Sequence, residues 1–372
     1  MKTRSVGVIG GGQLARMMIA PATELAIDIK VFAEAEGSPA ALAATVVGDY
    51  TNFEDVLAFA KTVDVITFDH EHVPLTVLRG LEAAGISVQP SSQALNFAQN
   101  KLEMRKALAE LSVPCPNWAQ IEEAAALDAF IAANGGLAVV KTATGGYDGK
   151  GVRVVQSSEQ VRDWLALGRP LLAEQKVEFK RELAQLIARN LAGQIEVWPV
   201  VQTIQRDGVC AEVHSPAQGA DLQAAEAIAR TIAEGLGVTG VLAVEMFETA
   251  DGKLLVNELA MRPHNSGHFS IEGSVTSQFE QHLRAVLNLP LGSTEATAKH
   301  AVMLNLLGVD DQNTFVEYYD HAMAKAPEAK IHVYGKAARL GRKMGHVTAT
   351  SNSSVDEALA IARTAANALL QA

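Results

Sequence analysis

The sequence predicts an open parallel α/β sheet, followed by an α+β section of mostly antiparallel strands and a small β-rich C-terminal section. Three observations carry this expectation. Residues 3 to 90 alternate short apolar runs with helical segments. Residues 115 to about 297 carry longer strands. The last stretch holds strands near 300–307, 330–334 and 346–350 before a closing helix from Ser354.

In the first section "VGVIG", "DIKVF", "ATVVGDY", "VDVITF" and "GISVQP" read as strands. "GQLARMMIAPATEL", "FEDVLAFAKT" and "LTVLRGLEAAG" read as the connecting helices. This βαβ rhythm belongs to a parallel sheet covered on both faces. Pro90-Ser91-Ser92 breaks it, and "NKLEMRKALAEL" then sets Met104, Leu108 and Leu111 on one helical face. The helical "EEAAALDAFIAANGG" leads into the strand "LAVVK", a glycine-rich loop and "VRVV". Strands follow at "LLAEQ", "ELAQLIARN", "QIEVWPVVQ", "GVLAVEMFE" and "KLLVNELA". The helices "DLQAAEAIARTIAEGL" and "VTSQFEQHLRAVLNL" interleave with them, the second stopped at Pro290. The closing helix carries Asp356 and Glu357 in its first turn, where the helix dipole favours acids.

With 372 residues, 48% hydrophobic and 20% charged, the chain has the composition of a globular protein of two or three domains. No apolar run reaches the roughly 18 residues of a membrane span, and no signal-peptide pattern opens the chain. Cys115 and Cys210 are distant and lack metal-ligand spacing, so reduced thiols and a cytoplasmic location are expected. A net charge of −11 speaks against a broad nucleic-acid surface. Two basic clusters run against that background: Lys101-Arg105-Lys106 and Lys336-Arg339-Arg342-Lys343.

Chemistry concentrates in a few stretches. In "GVIGGGQLARM", Gly10, Gly12 and Ala15 fit the G-x-G-x-x-G/A turn of dinucleotide sites, and Glu34 and Glu36 stand where a ribose-binding acid would. "KTATGGYDGKG", Lys141 to Gly151, puts four glycines in a loop whose N–H groups can wrap phosphate; a hairpin without ligand is the plainer alternative. Glu245 and Glu258 interrupt two apolar strands joined by a turn. Two acids brought to one face of a hairpin suit Mg²⁺, with Asn257 adding an oxygen. Solvent-facing glutamates remain the simpler option. "RPHNSGH", Arg262 to His268, supplies donors for a small oxyanion such as a carboxylate or bicarbonate, or is simply a polar loop with a capping role. "EQKVEFKRE", Glu174 to Glu182, offers groups for an adenine edge and ribose, or simply a solvated strand end. "YGKAARLGRKMGH" sets four cations in eight residues, a phosphate-binding turn or a solvated basic loop.

In this order the stretches resemble the ATP-grasp superfamily. Within it, "GGGQLARM", "KTATGGYDGKG", "VNELAMRPHNSGH" and "GRKMGH" resemble the N5-carboxyaminoimidazole ribonucleotide synthetase family of purine biosynthesis, over nearly the whole chain. The resemblance implies ATP-grasp architecture, with an N-terminal pre-ATP-grasp domain at 1–95 and an ATP-grasp domain at 96–297. The latter includes a lid at 115–172, and a C-terminal domain follows at 298–372. It implies an ATP- and bicarbonate-dependent carboxylation of 5-aminoimidazole ribonucleotide through carboxyphosphate, with Mg²⁺, in a homodimer.

The resemblance assigns Lys101 and Lys141 to the ATP phosphates, beneath a loop of Gly146, Tyr147, Asp148, Gly149, Lys150 and Gly151. Glu174, Gln175, Lys176, Val177 and Glu182 fall to adenine and ribose. Glu245 and Glu258 match the Mg²⁺ ligands, with Asn257 beside them in the ATP site. Tyr147, Arg262, His264, Asn265 and Ser266 match the bicarbonate site. Gln13, Leu14 and Glu71 would meet the aminoimidazole and ribose side of the acceptor, while Lys336, Arg342 and Lys343 hold its 5′-phosphate. Two departures stand out. Gln205 in "TIQRDG" replaces a histidine of many relatives, and Asp69 precedes Glu71 in "TFDHEHV", so the two acids can share a role.

Three other readings compete. A nicotinamide dehydrogenase uses the first turn and leaves the acid pair and second glycine loop unexplained. A formate-using ATP-grasp enzyme shares the layout, although Gln13 and the compact length lean away from it. A non-catalytic nucleotide-binding module has no need of the full set of cations and acids.

Overall fold

The computed structural model describes residues 3–145, 151–206 and 208–370. Strands β1 (Ser5–Ile9), β2 (Asp28–Ala33), β3 (Ala44–Val47) and β4 (Val65–Phe68) form a parallel sheet in the order β3-β2-β1-β4. Alternation along β1 sends Val6 and Val8 to one face and Ile9 to the other. The first face packs on α1 (Gln13–Glu24), and the second on α2 (Phe53–Ala60) and α3 (Leu75–Ala83). Asn52 starts α2 by accepting the N–H groups of Glu54 and Asp55. The run "GISVQP" does not become a fifth strand. Between Gly85 and Pro90 it makes one parallel bridge, Val88 to Ile66, because proline restricts its predecessor and ends the ladder.

Helices α4 (Ser92–Gln99) and α5 (Lys101–Glu110) lead out of this sheet, the second capped by the Asn100 side chain on Leu102 and Glu103 N–H. A separate antiparallel sheet then packs around α6 (Ala124–Ala133) with its own core. Its strands are β5 (Trp118–Ile121), β6 (Ala138–Thr142), β7 (Val152–Val155) and, after the single turn α7 (Arg162–Leu165), β8 (Leu171–Gln175), in the order β5-β8-β6-β7.

The remaining strands form one nine-stranded sheet among the described residues. It comprises β9 (Phe179–Arg189), β10 (Ile195–Val197), β11 (Val201–Arg206), β12 (Val209–Ser215), β13 (Gly240–Thr249), β14 (Leu254–Ala260), β15 (His300–Leu307), β16 (Lys330–Val333) and β17 (Lys343–Ser351). The run "QIEVWPVVQ", expected as one strand, is split into β10 and β11 at Pro199, which has no N–H for the ladder. Helix α8 (Leu222–Gly235) packs on β9. After the short α9 (Ser270–Gly273), α10 (Gln278–Val286) lies between β13 and α1. β15 pairs with β12, so the C-terminal strands continue the central sheet. Their far face forms a core with α11 (Tyr319–Lys325) and α12 (Val355–Leu370).

One buried contact fastens the first sheet to the large one. His282 of α10 accepts the Val241 N–H at Nδ1, 3.1 Å away, so Nε2 carries the proton and donates to Thr67 Oγ1 at 2.7 Å. Burial brings its pKa down to about 3. The folded state binds no proton where the unfolded histidine does. This group's contribution is therefore complete above its ordinary pKa of 6.5 and falls by about 1.4 kcal/mol per pH unit below it. Replacing His282 with Gln should destabilise the chain by about 2 kcal/mol at pH 7.5. It should also flatten the decline of urea midpoints between pH 6.5 and 5; an unchanged pH slope would remove His282 from the account.

Candidate active site

Most of the predicted groups converge between the first sheet, the antiparallel β5-β8-β6-β7 sheet and the large sheet. The paired acids come first. Glu245 and Glu258 are in register across β13 and β14, and the next pair is Met246 with Val256, which leaves Asn257 as an inserted bulge residue. The bulge re-aims successive side chains to one side. Asn257 Oδ1 accepts from Lys141 Nζ at 3.2 Å, and Glu258 Oε1 lies 3.4 Å from Lys101 Nζ.

Those lysines are themselves positioned. The Lys101 N–H donates to Ala143 O at 2.8 Å, tying the start of α5 to the loop after β6. Lys141 ends in a buried ionic group: its Nζ is 2.7 Å from Glu174 Oε2, while Glu174 Oε1 is 2.5 Å from Arg105 Nε and Nη2. Arg105 Nη2 also donates to the Asn257 carbonyl at 2.6 Å. Burial opposes ionisation of Glu174, but Lys141 and Arg105 more than offset it and hold its pKa below the ordinary value. Both side-chain oxygens of Glu174 are thus engaged within the chain, and its backbone is paired with Trp118 on one side and Val139 on the other. Arg105 was visible in the sequence only as one cation of a cluster. The signal that singles it out is its i, i+4 spacing from Lys101, which shares its helix face, whereas exposed Lys106 points away to Glu103.

Around this centre, Gly145 and Gly151, at φ of +80° and +73°, bracket the loop. Gly146, Tyr147, Asp148, Gly149 and Lys150 lie outside the described residues. Gln175 and Val177 are half-buried at the end of β8 and beyond it, and Lys176 is exposed and paired with Glu178. Glu182 stands in register with Phe247 on β9 and accepts a side-chain bond from Gln205. Burial and the charge of Glu245 raise its pKa against that bond.

The 262–268 loop meets the acids from the other side. His264 Nδ1 accepts from the Ser266 N–H at 3.3 Å, so its Nε2 donates to Glu245 Oε1 at 3.0 Å. Burial disfavours the Glu245 carboxylate. The His264 bond and the charges of Lys343 and Arg262 prevail and keep its pKa below the usual value. Arg262 Nη2 is 3.6 Å from Glu71 Oε2, and Glu71 Oε1 accepts the Met261 N–H at 2.8 Å. Arg262 Nε is buried with no hydrogen-bond partner among the described residues, the Asn265 side chain bears on the Cys210 thiol, and Ser266 is buried in the same loop.

The N-terminal turn is shaped as expected, with Gly10 at φ +103° and Gly12 as N-cap of α1. Its donors are partly engaged by the chain itself. Asp69 Oδ1 accepts the Ala15 N–H at 2.8 Å, and Glu34 Oε2 accepts the Gly11 N–H at 3.2 Å while its Oε1 meets His70. A Cβ on Gly12 would collide with the Asp69 carboxylate. An internal carboxylate therefore occupies the position of a dinucleotide pyrophosphate, and Glu34 is committed elsewhere, which disfavours the nicotinamide reading. Burial raises the Asp69 pKa. Asp69 and Glu71 make separate contacts within the chain: one caps α1, the other anchors the 261–262 backbone and side chain. Gln13 is half-buried, but the Leu14 side chain is 4% exposed within the core. Leu14 can reach a ligand only through its main chain.

The basic tail reaches both halves. Gly335 abuts the Arg16 guanidinium, and the charge of Lys336 acts on Asp69 at the α1 terminus. The charge of Lys343 acts instead on Glu245, and Arg342 Nη1 donates to Ala337 O at 3.1 Å.

Residues 1–99 match the ribonucleotide synthetase preATP-grasp domain family, 106–279 the ATP-grasp domain, and 301–360 the phosphoribosylaminoimidazole carboxylase C-terminal domain. N5-carboxyaminoimidazole ribonucleotide synthase of Mycobacterium leprae (strain TN) is 48% identical, over 92% of this chain and 83% of its own. The protein of that name from Corynebacterium ammoniagenes is 46% identical, over 93% and 87%. A crystal structure of N5-carboxyaminoimidazole synthase from Aspergillus clavatus with ADP and 5-aminoimidazole ribonucleotide superposes with a TM-score of 0.88. It is 33% identical and covers 99% of each chain. A cleft built on a lysine-anchored glycine loop and a bulged acid hairpin accords with these likenesses, and the chain belongs to the N5-carboxyaminoimidazole ribonucleotide synthase family of the ATP-grasp superfamily.

Proposed function

We propose that this chain uses ATP to carboxylate 5-aminoimidazole ribonucleotide with bicarbonate, forming N5-carboxyaminoimidazole ribonucleotide, ADP and phosphate. A bicarbonate oxygen takes the γ-phosphoryl group, giving carboxyphosphate. The exocyclic amine then bonds to its carbon, phosphate leaves with the C–O electron pair, and the amine loses a proton. The observation that carries the reading is the meeting of the acid hairpin and its lysines with the Arg262 loop, which Glu71 joins to the N-terminal half.

In this reading Lys101 and Lys141 neutralise phosphate charge, and residues 146–151 cover it. Glu174 to Val177 and Glu182 border adenine and ribose. Arg262, His264, Asn265 and Ser266, with Tyr147, bind bicarbonate; the guanidinium opposes the negative charge that grows on its oxygens. The α1 terminus with Gln13, the Leu14 main chain and Glu71 receives the acceptor. Lys336, Arg342 and Lys343 hold its phosphate. The residues at the hairpin fit Mg²⁺: two carboxylates and an amide oxygen, all hard donors, on strands otherwise apolar. No cluster of three or more His, Cys, Asp or Glu ligands occurs among the described residues, and Mg²⁺ commonly takes one or two carboxylates plus phosphates. Bound at Glu245 and Glu258, it would neutralise phosphate charge during transfer.

We further assign the domains to 1–95, 96–297 (lid 115–172) and 298–372, a cytoplasmic location in keeping with two free cysteines, and a homodimer. The exposed Leu42, Val46 and Val47 on and beside the edge strand β3 are candidates for covered surface in that dimer. No described helix is long and apolar enough to cross a membrane.

Phosphate release should require ATP, Mg²⁺, bicarbonate and the ribonucleotide together. Release that does not depend on the ribonucleotide, or that formate sustains in place of bicarbonate, would refute the substrate assignment. Glu258→Gln should lower turnover by about a hundredfold or more with an unchanged circular-dichroism melt; wild-type activity would move the metal elsewhere. Lys336→Met should raise KM for the ribonucleotide by about tenfold or more while KM for ATP stays constant. Equal rises in both would detach Lys336 from the acceptor.

A further inference from the structure

The two most specific sequence motifs each end in a histidine to which the reading above gives no part. His268 closes "RPHNSGH" and His346 closes "GRKMGH". The fold lays these rings against each other, with centroids 4.9 Å apart, and both are 0% exposed. His332 extends the column, stacked on His346 at 4.4 Å, with its Nε2 on Glu272 Oε1 at 2.7 Å.

Each inner ring is fixed by one nitrogen. Gln278 Oε1 accepts the His264 N–H at 2.8 Å, and its Nε2 donates to the His264 carbonyl at 2.8 Å and to His268 Nδ1 at 2.9 Å. The backbone pair orients the Gln278 amide, so His268 Nδ1 is an acceptor and its proton sits on Nε2. Tyr334 Oη lies 2.8 Å from His346 Nδ1. The Nε2 atoms of both rings are buried with no hydrogen-bond partner among the described residues, and burial pushes both pKa values far down. The rings are neutral spacers.

What they separate is informative. His268 ends the loop carrying Arg262, His264, Asn265 and Ser266. His346 sits three residues after Lys343, on β17. There Leu306 pairs with Gly345 and Leu307 with Lys343, so Met344 is inserted and turned into the opposite core. That bulge puts Lys343 on the face of His346, and its charge acts on both His268 and Glu245. The backbone on either side is pressed tight. A Cβ at Gly267 would collide with Leu186 Cδ2, and one at Gly345 would collide with the His332 carbonyl.

We propose that His268 and His346 are positioning residues whose buried stack holds the Arg262–Ser266 loop in register with Lys343, aligning the activated acid with the acceptor. The alignment of substrates rests on the function proposed above; the spacing of loop and strand does not.

The test compares His346→Leu, which removes the ring, with His346→Phe, which keeps a neutral ring. His346→Leu should raise KM for aminoimidazole ribonucleotide about tenfold and lower the ratio of carboxylated product to ADP, with KM for ATP unchanged. Amide exchange across 262–268 should quicken. His346→Phe should restore most of the coupling and the protection. Wild-type coupling and exchange in a folded His346→Leu, or an equal rise in KM for ATP, would overturn the proposal. If His346→Leu does not fold, Tyr334→Phe removes only the hydroxyl that orients the ring. It should shift the same quantities in the same direction, and unchanged values there would also overturn it. If the wild-type enzyme shows no ribonucleotide-dependent turnover, the proposed function fails, and exchange across 262–268 still decides the stack.

Discussion

Glu174 lies almost wholly out of solvent with Arg105 on one oxygen and Lys141 on the other, and three separately built parts of the chain meet at this knot. Arg105 belongs to helix α5, Lys141 and Glu174 to the β5-β8-β6-β7 sheet, and the Asn257 carbonyl on the same guanidinium to the acid hairpin. That four-stranded sheet has its own apolar core and its own ladders. Its registration on the body therefore leans on paired charge more than on shared apolar surface. Removing one member of such a group strands a buried charge at a cost of about 3–5 kcal/mol. The lysine proposed for ATP phosphate is thus set by the same contacts that set this sheet.

Much of the architecture was legible because periodicity reports burial directly. The parallel sheet, the antiparallel middle section and the C-terminal strands all follow from the spacing of apolar residues. Strands β5 and β12 lie in runs not read as strands, and two further failures shared a cause. "GISVQP" and "QIEVWPVVQ" have strand composition, but a proline removes a ladder donor in each, so one shrinks to a bridge and the other divides.

For the site, residue type and order group the stretches but do not give the direction of their side chains. Leu14 lies in the first turn with its side chain in the core, and Glu174 lies in β8 with its carboxylate engaged internally. Asp69 and Glu71, two residues apart, serve opposite walls of the cleft. Arg105 and the histidine column depend on contacts between segments 69 and 78 residues apart, which no local pattern encodes.

The inserted Asn257 has a consequence for how such a chain can change over time. Strands enforce an odd–even rule, and neighbouring residues normally look in opposite directions. At "VNEL" one supernumerary residue suspends that rule, so amide and carboxylate look the same way toward two lysines. The information there is a count as much as a composition. Exchanging one side chain for a similar one perturbs a single contact. Losing one codon in this segment would restore strict alternation and turn one of the two oxygen donors away, with nearly every residue type still present.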